Sequence, residues 1–229
     1  MTTYKIYVQE PGGSTEGSAF VVAKGIVATA FHVVGDCKSG TWRGDAEEDV
    51  VYELFADARR VPLRPFVGKP DADVALLFAE GFDEAPPMSL TRATELGFQA
   101  PYLAVGWPAG HVAPPALTLD GMVSAVQPGM GQRSLQLFCR QGAGADLWSG
   151  MSGAPVQSAK GQVFGMLTME RQGNILFAVD VGSMPLTTGF VAPQHDDVGA
   201  AMTRLNRRAP LGATNLPRAL TEAAALLST

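Results

Sequence analysis

The sequence predicts an all-β protein with two β-rich halves, and three observations support this. About a dozen short segments rich in apolar and β-branched residues recur along the 229-residue chain, each bounded by Gly, Pro, Asp or Asn. No helical period separates these segments before residue 194, so a βαβ arrangement is not predicted. A polar, Pro-containing connector over residues 81–100 divides them evenly. Strands at this spacing fit barrels or a sandwich.

The first half, residues 1–80, is predicted to form strands from its start. After the segment KIYVQ, apolar runs flank a tight turn at Ala23-Lys24-Gly25, which predicts a hairpin. The run that follows this turn ends in ATAFHVV, and we expect its histidine to close a strand. Further strands are predicted at VVYELFA, RRVPLRPF and DVALLFA.

The second half, residues 101–193, repeats this pattern. Strands are predicted at YLAVGWP, GMVSAVQ, SLQLFCR, APVQSAK, QVFGMLTM and ILFAVDV. Helix-forming residues then predominate, and two short helices are predicted in a tail over residues 194–229. The apolar stripe of this tail must pack on something, either the β halves or a further module.

Composition excludes several classes of function. A net charge of -5 without a long basic run gives no electrostatic footprint for nucleic acid or anionic lipid. No membrane span and no secretory signal are visible, so we expect a cytoplasmic protein. The two cysteines, Cys37 and Cys139, are then expected to be reduced thiols. No metal-ligand spacing such as His-Glu-x-x-His occurs, and we expect neither a metal nor a cofactor.

Three short motifs supply the groups that acyl transfer by serine needs, namely a nucleophile, a base, an orienting carboxylate and N–H donors for the oxyanion. His32 lies in T-A-F-H-V, Asp73 precedes V-A-L-L, and Ser152 lies in the glycine turn G-M-S-G-A-P. The order along the chain is therefore His, Asp, Ser.

These motifs resemble T-A-x-H-V, D-[IV]-A-[LV]-L and G-[ND]-S-G-[GA]-P of the trypsin-like serine proteases. Two further stretches agree: A-V-G-W-P-A-G leading to L-D-G-M-V-S, and G-M-L followed by F-A-V. The likeness covers roughly residues 15–182 and is nearest to the bacterial high-temperature-requirement proteases, without their PDZ domain. It implies a chymotrypsin-like fold of two six-stranded antiparallel Greek-key barrels, a cleft between them, and a short helical C-terminal tail.

The resemblance implies a role for each motif residue. His32 would be the general base and acid, Asp73 its orienting carboxylate, and Ser152 the nucleophile. The backbone N–H groups of Gly150 and Ser152 would form the oxyanion hole, where glycine lets the backbone approach the substrate carbonyl.

Local alternatives to this triad exist. Asp71 is a rival carboxylate, and we favour Asp73 because the apolar V-A-L-L segment begins directly after it. Cys37 follows His32 by only five positions, yet its surroundings, G-D-C-K-S-G, do not resemble a nucleophile turn. The α/β-hydrolase pattern G-x-S-x-G is not met, because residue 154 is alanine.

The residue before Ser152 departs from part of the family. Zymogen-activated members carry an aspartate there that pairs with a newly freed N-terminus, whereas this chain has Met151. Activation by N-terminal insertion is therefore not expected. Control is expected from the loop over residues 141–151, from the tail, or from another protein.

The resemblance also suggests where substrate binds. Asp146, six residues before Ser152, matches the base of the primary specificity pocket, where a carboxylate favours a substrate arginine or lysine. Glu170 falls on the pocket wall. Thr168 falls on the strand that pairs with an extended substrate backbone.

From these features we expect a serine endopeptidase that cleaves a protein or peptide substrate after Arg or Lys. One interpretation is that it activates a partner effector protein in bacterial antiviral defence or cell death. Another is protein quality control, which the missing PDZ domain disfavours. An alternative of a different class is a protease-fold scaffold that binds a partner without turnover, and the complete triad argues against it.

Overall fold

A computed structural model describes residues 2–43, 50–56, 59–79, 81–82, 86–97, 99–109, 116–127, 133–141, 149–171 and 174–181. Within these residues the chain forms fourteen strands, one short α-helix and two 3-10 helices. The predicted tail over residues 194–229 and the candidate pocket residue Asp146 lie outside the described residues.

The first half of the chain forms a closed six-stranded barrel. Its elements are β1 (Thr3–Glu10), β2 (Gly13–Ala23), β3 (Ile26–Thr29), α1 (Phe31–Val34), β4 (Gly35–Asp36), β5 (Thr41–Trp42), β6 (Val51–Ala56), β7 (Arg59–Lys69), a 3-10 helix (Pro70–Ala72) and β8 (Val74–Ala79). The strand order around the barrel is β1-β2-β3-β8-β7-β6, and β4 and β5 pair separately. All of these pairings are antiparallel.

The predicted hairpin is present in this barrel. Strand β2 ends at Ala23 and β3 begins at Ile26. Gly25, in the two-residue turn between them, has a φ of 68°, a conformation that glycine adopts without steric cost.

The expectation that His32 closes a strand is wrong. His32 lies on the one-turn helix α1, directly after β3. The cause is a tertiary contact, because Asp73 accepts the first two amides of this turn: its carbonyl binds the Phe31 N–H at 3.1 Å and its carboxylate binds the His32 N–H at 2.8 Å. The apolar, β-branched sequence around His32 carries no local sign of this contact.

The second half forms another closed six-stranded antiparallel barrel. A second 3-10 helix (Ala93–Glu95) precedes it, and its strands are β9 (Pro101–Gly106), β10 (Leu117–Val126), β11 (Leu135–Cys139), β12 (Pro155–Ser158), β13 (Val163–Arg171) and β14 (Ile175–Val179). The strand order is β10-β11-β14-β13-β12-β9. Two such barrels confirm the expected chymotrypsin-like fold.

The buried apolar residues form two clusters, one for each barrel, and side chains from β13 and β14 of the second barrel belong to the cluster of the first. The barrels are also joined by hydrogen bonds. Residues before the second barrel bond to both: the Met88 N–H donates to the Val21 carbonyl at 2.9 Å, and the Thr91 N–H donates to the Val163 carbonyl at 2.8 Å. The Trp107 indole N–H donates to the Thr3 carbonyl at 2.9 Å. Side chains carried by different barrels can therefore be held in a fixed geometry where the barrels meet.

The described part of the chain contains no helix with the length and apolar character needed to cross a membrane.

Candidate active site

Three side chains from separate elements meet where the two barrels join. The ring of His32, on α1, lies with Nδ1 2.7 Å from Asp73 Oδ2 and Nε2 2.9 Å from Ser152 Oγ. Both separations are hydrogen-bond distances. The structure thus brings together the histidine, the aspartate and the serine that the motifs singled out.

Asp73 is held by its backbone as well as by its carboxylate. It follows the 3-10 helix with a left-handed conformation, φ 58° and ψ 46°, and its N–H donates to the Pro70 carbonyl at 3.1 Å. A non-glycine residue with positive φ is uncommon and persists where surrounding contacts enforce it. The side chain is buried, and its Oδ1 accepts the His32 backbone N–H. One carboxylate therefore fixes both the backbone and the ring of the histidine.

The rival carboxylate, Asp71, is directed elsewhere. Its side chain is 68% exposed and pairs with Lys69 Nζ at 3.1 Å. It is a solvated turn residue, as expected if Asp73 contacts the histidine.

Cys37 contacts the site in a way that the sequence did not indicate. Its thiol donates to Asp73 Oδ1 at 3.3 Å. Burial, followed by the negative charge of Asp73, raises the pKa of the Cys37 thiol to about 12. The thiol is therefore protonated at neutral pH and acts as a donor to the carboxylate. Both described cysteines, Cys37 and Cys139, are free thiols.

Two glycines give the turn around Ser152 its shape. Gly150 has φ 85° and Gly153 has φ 89°. A Cβ at Gly150 would lie 2.4 Å from the Ala109 nitrogen, and one at Gly153 would lie 2.0 Å from the Ser18 carbonyl oxygen. No side chain fits at either position, so the G-x-S-G spacing is a steric requirement.

The peptide that carries the Gly150 N–H has a fixed orientation. The Ala109 N–H donates to the Ser149 carbonyl at 2.7 Å. Since the N–H and C=O of a trans peptide point in opposite directions, the Gly150 N–H points away from Ala109. Among the described residues, no backbone acceptor pairs with the Gly150 or Ser152 N–H. These are the two donors that the sequence predicts for an oxyanion hole.

Met151, between these two donors, is buried in the core of the second barrel. It stands at the position where the zymogen-activated trypsin-like proteases, which the motif resembles, carry an aspartate. A thioether cannot form an ion pair with an amino group, so the turn is held by packing at this position.

The structure describes the residues predicted to bind substrate only in part. Thr168 is buried on β13, and its hydroxyl donates to the Phe177 carbonyl at 3.4 Å. Glu170 continues β13 opposite Leu176, and its side chain lies outside the description, as does all of Asp146. Within the described residues, β13 pairs with β12 only as far as Met166 and continues beyond it paired with β14 alone.

The part of β13 beyond Met166 starts beside the turn that carries Ser152. The Gly153 N–H donates to the Leu167 carbonyl at 2.8 Å, and the Leu167 N–H donates to the Ala154 carbonyl at 2.9 Å. The edge beyond Leu167 is thus anchored directly to the turn that carries Ser152. An extended peptide added to this edge would pass close to the hydroxyl.

Ser18 is a second contact that no local motif marks. Its hydroxyl donates to the Gly150 carbonyl at 2.8 Å, across a sequence separation of 132 residues. Only the packing of one barrel on the other brings these groups together.

No group of three or more His, Cys, Asp or Glu side chains within the described residues is placed to hold a metal ion. The chemistry available to the described groups is proton transfer and nucleophilic attack. A serine hydroxyl on a carboxylate-oriented imidazole, next to backbone N–H donors, is suited to acyl transfer.

Comparison with known proteins agrees with this geometry. The family model of the trypsin-like peptidase domain matches residues 17–166, a span that includes His32, Asp73 and Ser152. No curated protein matches the sequence.

Solved structures share the fold. The active form of the Rv3671c protease from M. tuberculosis is 19% identical, with a TM-score of 0.62 over 79% of this chain and 76% of that chain. Deg5 is 22% identical, with a TM-score of 0.57 over 77% of this chain and 82% of that chain. The HtrA-type protease AlgW with a tripeptide is 23% identical, with a TM-score of 0.58 over 78% of this chain and 56% of that chain.

Proposed function

This chain belongs to the trypsin-like peptidase family, and on that premise we propose that it is a serine endopeptidase that cleaves protein substrates through an acyl-enzyme. The observation that carries the proposal is the continuous series of hydrogen bonds from Asp73 to His32 to Ser152, at 2.7 and 2.9 Å. A binding scaffold has no need for a hydroxyl held on an oriented imidazole.

In the proposed reaction, Ser152 Oγ attacks the substrate carbonyl carbon and its proton passes to His32 Nε2. The imidazolium keeps its Nδ1–H on Asp73, and the Gly150 and Ser152 N–H groups stabilise the tetrahedral oxyanion. Collapse breaks the C–N bond, and His32 returns the proton to the leaving amine. Water then repeats the sequence, with His32 as base, and releases the second product as a carboxylic acid.

We propose that the substrate binds as an added strand on the edge of β13 that lies beside the Ser152 turn. Two backbone features support this: pairing with β12 ends at Met166, and Leu167 is bonded to the nucleophile turn. The backbone groups of Thr168 and Glu170 on this edge would bind the residues before the cut. Main-chain pairing of this kind gives affinity with little demand on sequence.

Cleavage after arginine or lysine is the proposed specificity. Its support is the position of Asp146, six residues before Ser152, together with a second acidic residue, Glu170, on β13. A carboxylate at the pocket base binds a guanidinium or ammonium group by charge-assisted hydrogen bonds.

We further propose that the physiological substrate is a partner effector protein, which one cut activates, within a bacterial cell. The motivation is Met151, buried beside the nucleophile in place of the aspartate used for zymogen control. Because the triad is assembled and this position holds no such switch, cleavage would be limited by which proteins the enzyme accepts as substrates.

The test is cleavage by the purified chain and by Ser152→Ala of a set of native and unfolded proteins, with N-terminal sequencing of each product. The proposal predicts cuts that need Ser152 and that follow Arg or Lys. Cuts after small or apolar residues would overturn the specificity and leave the peptidase standing. A folded wild-type chain that cleaves nothing and is not modified by a fluorophosphonate would support the scaffold alternative.

A co-expression experiment separates the two peptidase roles. A single cut in a co-expressed effector protein would support activation. Degradation of unfolded chains at many sites, with native proteins left intact, would instead point to quality control.

A further inference from the structure

We propose that Ser18, a residue of the first barrel, is a positioning residue that holds the nucleophile turn of the second barrel in the shape of an oxyanion hole. The inference rests on the proposed function, since it concerns the same chemistry. It concerns a residue that lies outside the triad and outside the predicted hole.

Ser18 contacts the turn at two points. Its backbone N–H donates to the Ser152 carbonyl at 2.7 Å, and its hydroxyl donates to the Gly150 carbonyl at 2.8 Å. These carbonyls belong to the two peptides that flank the Met151–Ser152 peptide. The Ser152 N–H, a proposed oxyanion donor, lies in that central peptide. With both neighbours fixed, the central peptide has little freedom to rotate.

The Ser18 hydroxyl is itself oriented. It accepts the Trp107 backbone N–H at 2.8 Å, which leaves its proton for the Gly150 carbonyl. The Ser18 carbonyl accepts the Thr29 hydroxyl at 2.8 Å. Ser18 is fully buried, at 0% exposure. A buried hydroxyl with both of its functions satisfied holds one rotamer, so its direction is defined.

Three glycines allow the neighbouring backbone segments to pack closely around Ser18. An added Cβ would lie 3.2 Å from the Ser152 carbonyl oxygen at Gly17, 2.8 Å from Ser18 Oγ at Gly106, and 2.0 Å from the Ser18 carbonyl oxygen at Gly153. The backbone segments are thus packed at contact distance around Ser18. A neighbouring side chain therefore has no space to replace a lost Ser18 hydroxyl.

Ser18→Ala removes the hydroxyl and leaves the Gly150 carbonyl and the Trp107 N–H without that partner in a buried setting. Such groups are driven to find new partners, and the turn is expected to rotate. Displacement of a catalytic donor by about 1 Å costs up to about 100-fold in rate. Since the substrate is unidentified, we choose a fluorophosphonate probe, whose reaction with Ser152 also builds charge on an oxygen in the hole.

The experiment measures the second-order rate of fluorophosphonate labelling against pH for the wild type, Ser18→Ala, Ser18→Cys and Thr29→Val. Thr29→Val is the matched control, because it removes a buried hydroxyl of the same cluster that donates to the Ser18 carbonyl and not to a carbonyl of the turn. Ser18→Cys keeps a donor of similar size but weaker strength. Thermal unfolding is recorded for every variant, so that labelling is compared only among folded chains.

We expect Ser18→Ala to slow labelling by about 10- to 100-fold, Ser18→Cys to fall between it and the wild type, and Thr29→Val to stay within about twofold of the wild type. The pH midpoint is expected to be unchanged, because Ser18 does not contact His32. Labelling of folded Ser18→Ala within twofold of the wild type would overturn the inference. So would an equal loss in Thr29→Val. Should Ser18→Ala fail to fold, Ser18→Cys at the wild-type rate would overturn it.

An unlabelled wild type would contradict the proposed function, and Ser18 would then be judged from crystal structures of the wild type and Ser18→Ala. A rotated Gly150–Met151 peptide in the variant would support the positioning role. An unmoved peptide would overturn it.

Discussion

The two barrels build their halves of the site by different means. In the first barrel, one side chain holds others: the Asp73 carboxylate binds the ring and the backbone N–H of His32 and accepts the thiol of Cys37. In the second barrel the backbone holds Ser152, through two glycines with positive φ and hydrogen bonds to the carbonyls around it.

The first half therefore contributes mainly side chains for proton transfer, and the second half contributes mainly a defined backbone conformation. Substitutions in the first half remove a proton acceptor or its orientation and leave the barrel closed. Substitutions in the second half add atoms where there is no space and disturb the turn itself. The two halves are therefore expected to fail in distinguishable ways, and the following predictions compare them.

The largest effects are expected at the point where the halves meet. Ser152→Ala and His32→Ala should each lower turnover by about 10⁶-fold, and the double variant should lose no more than either alone, because the two act as one unit. Turnover of any protein cleaved by the wild type provides the measurement. Additive losses in the double variant would show that the two residues act independently.

A smaller loss is expected at the carboxylate of the first half. Asp73→Asn should lower turnover by about 10⁴-fold with the fold retained, because an amide stabilises the wrong histidine tautomer and cannot balance the imidazolium. The matched control is Asp71→Asn, two residues away on a side chain that is 68% exposed, with turnover expected within about twofold of the wild type. The reverse ranking of the two variants would assign the role to Asp71.

Substitutions in the second half are expected to lower the free energy of unfolding. Gly153→Ala combines φ 89° with a Cβ 2.0 Å from the Ser18 carbonyl oxygen, and should lower the free energy of unfolding by about 3 kcal/mol or more. Gly161→Ala is the control, with φ 75° and open space around its Cβ, and should cost about 1 kcal/mol. Urea unfolding measures both. Equal losses would mean that crowding around Ser18 does not constrain the turn.

Among the residues that contact the triad, the smallest change in turnover is expected at Cys37. Cys37→Ser keeps a donor to Asp73, and turnover should stay within about threefold of the wild type. Cys37→Ala removes that donor and should fall below Cys37→Ser. Equal rates for the two variants would show that the hydrogen bond has no part in orienting Asp73.

The thiol itself provides a pH test. The pKa of Cys37 rises from 9.0 to about 12, because of burial and then the charge of Asp73. The folded chain should therefore react with iodoacetamide at Cys37 at least about 10-fold more slowly at pH 8 than the unfolded chain does, as peptide mapping would measure. The Cys37 thiol ionises at a lower pH in the unfolded chain than in the folded chain. The contribution of the buried thiol to the free energy of unfolding is therefore present below pH 9 and is lost as pH rises from 9 to about 12. Comparable alkylation rates would contradict the buried donor.

The sequence predicted much of the fold and singled out the three residues that the structure brings within hydrogen-bond distance, because each depends on short local patterns. Strands alternate with turn residues, and the motifs of His32, Asp73 and Ser152 each span only a few residues. The helical turn at His32 was missed because Asp73, 41 residues later, supplies its hydrogen-bond acceptors. Ser18 and Cys37 were missed for the same reason, since their partners are set by packing between distant segments.

The most direct test of the triad is the site of fluorophosphonate modification, determined by intact mass and peptide mapping at neutral pH. A working triad predicts a single phosphonyl group on Ser152 of the wild type, with labelling almost abolished in a folded His32→Ala chain. Modification of another residue, or equal labelling of wild type and His32→Ala, would contradict the assignment of His32 as the base that activates Ser152.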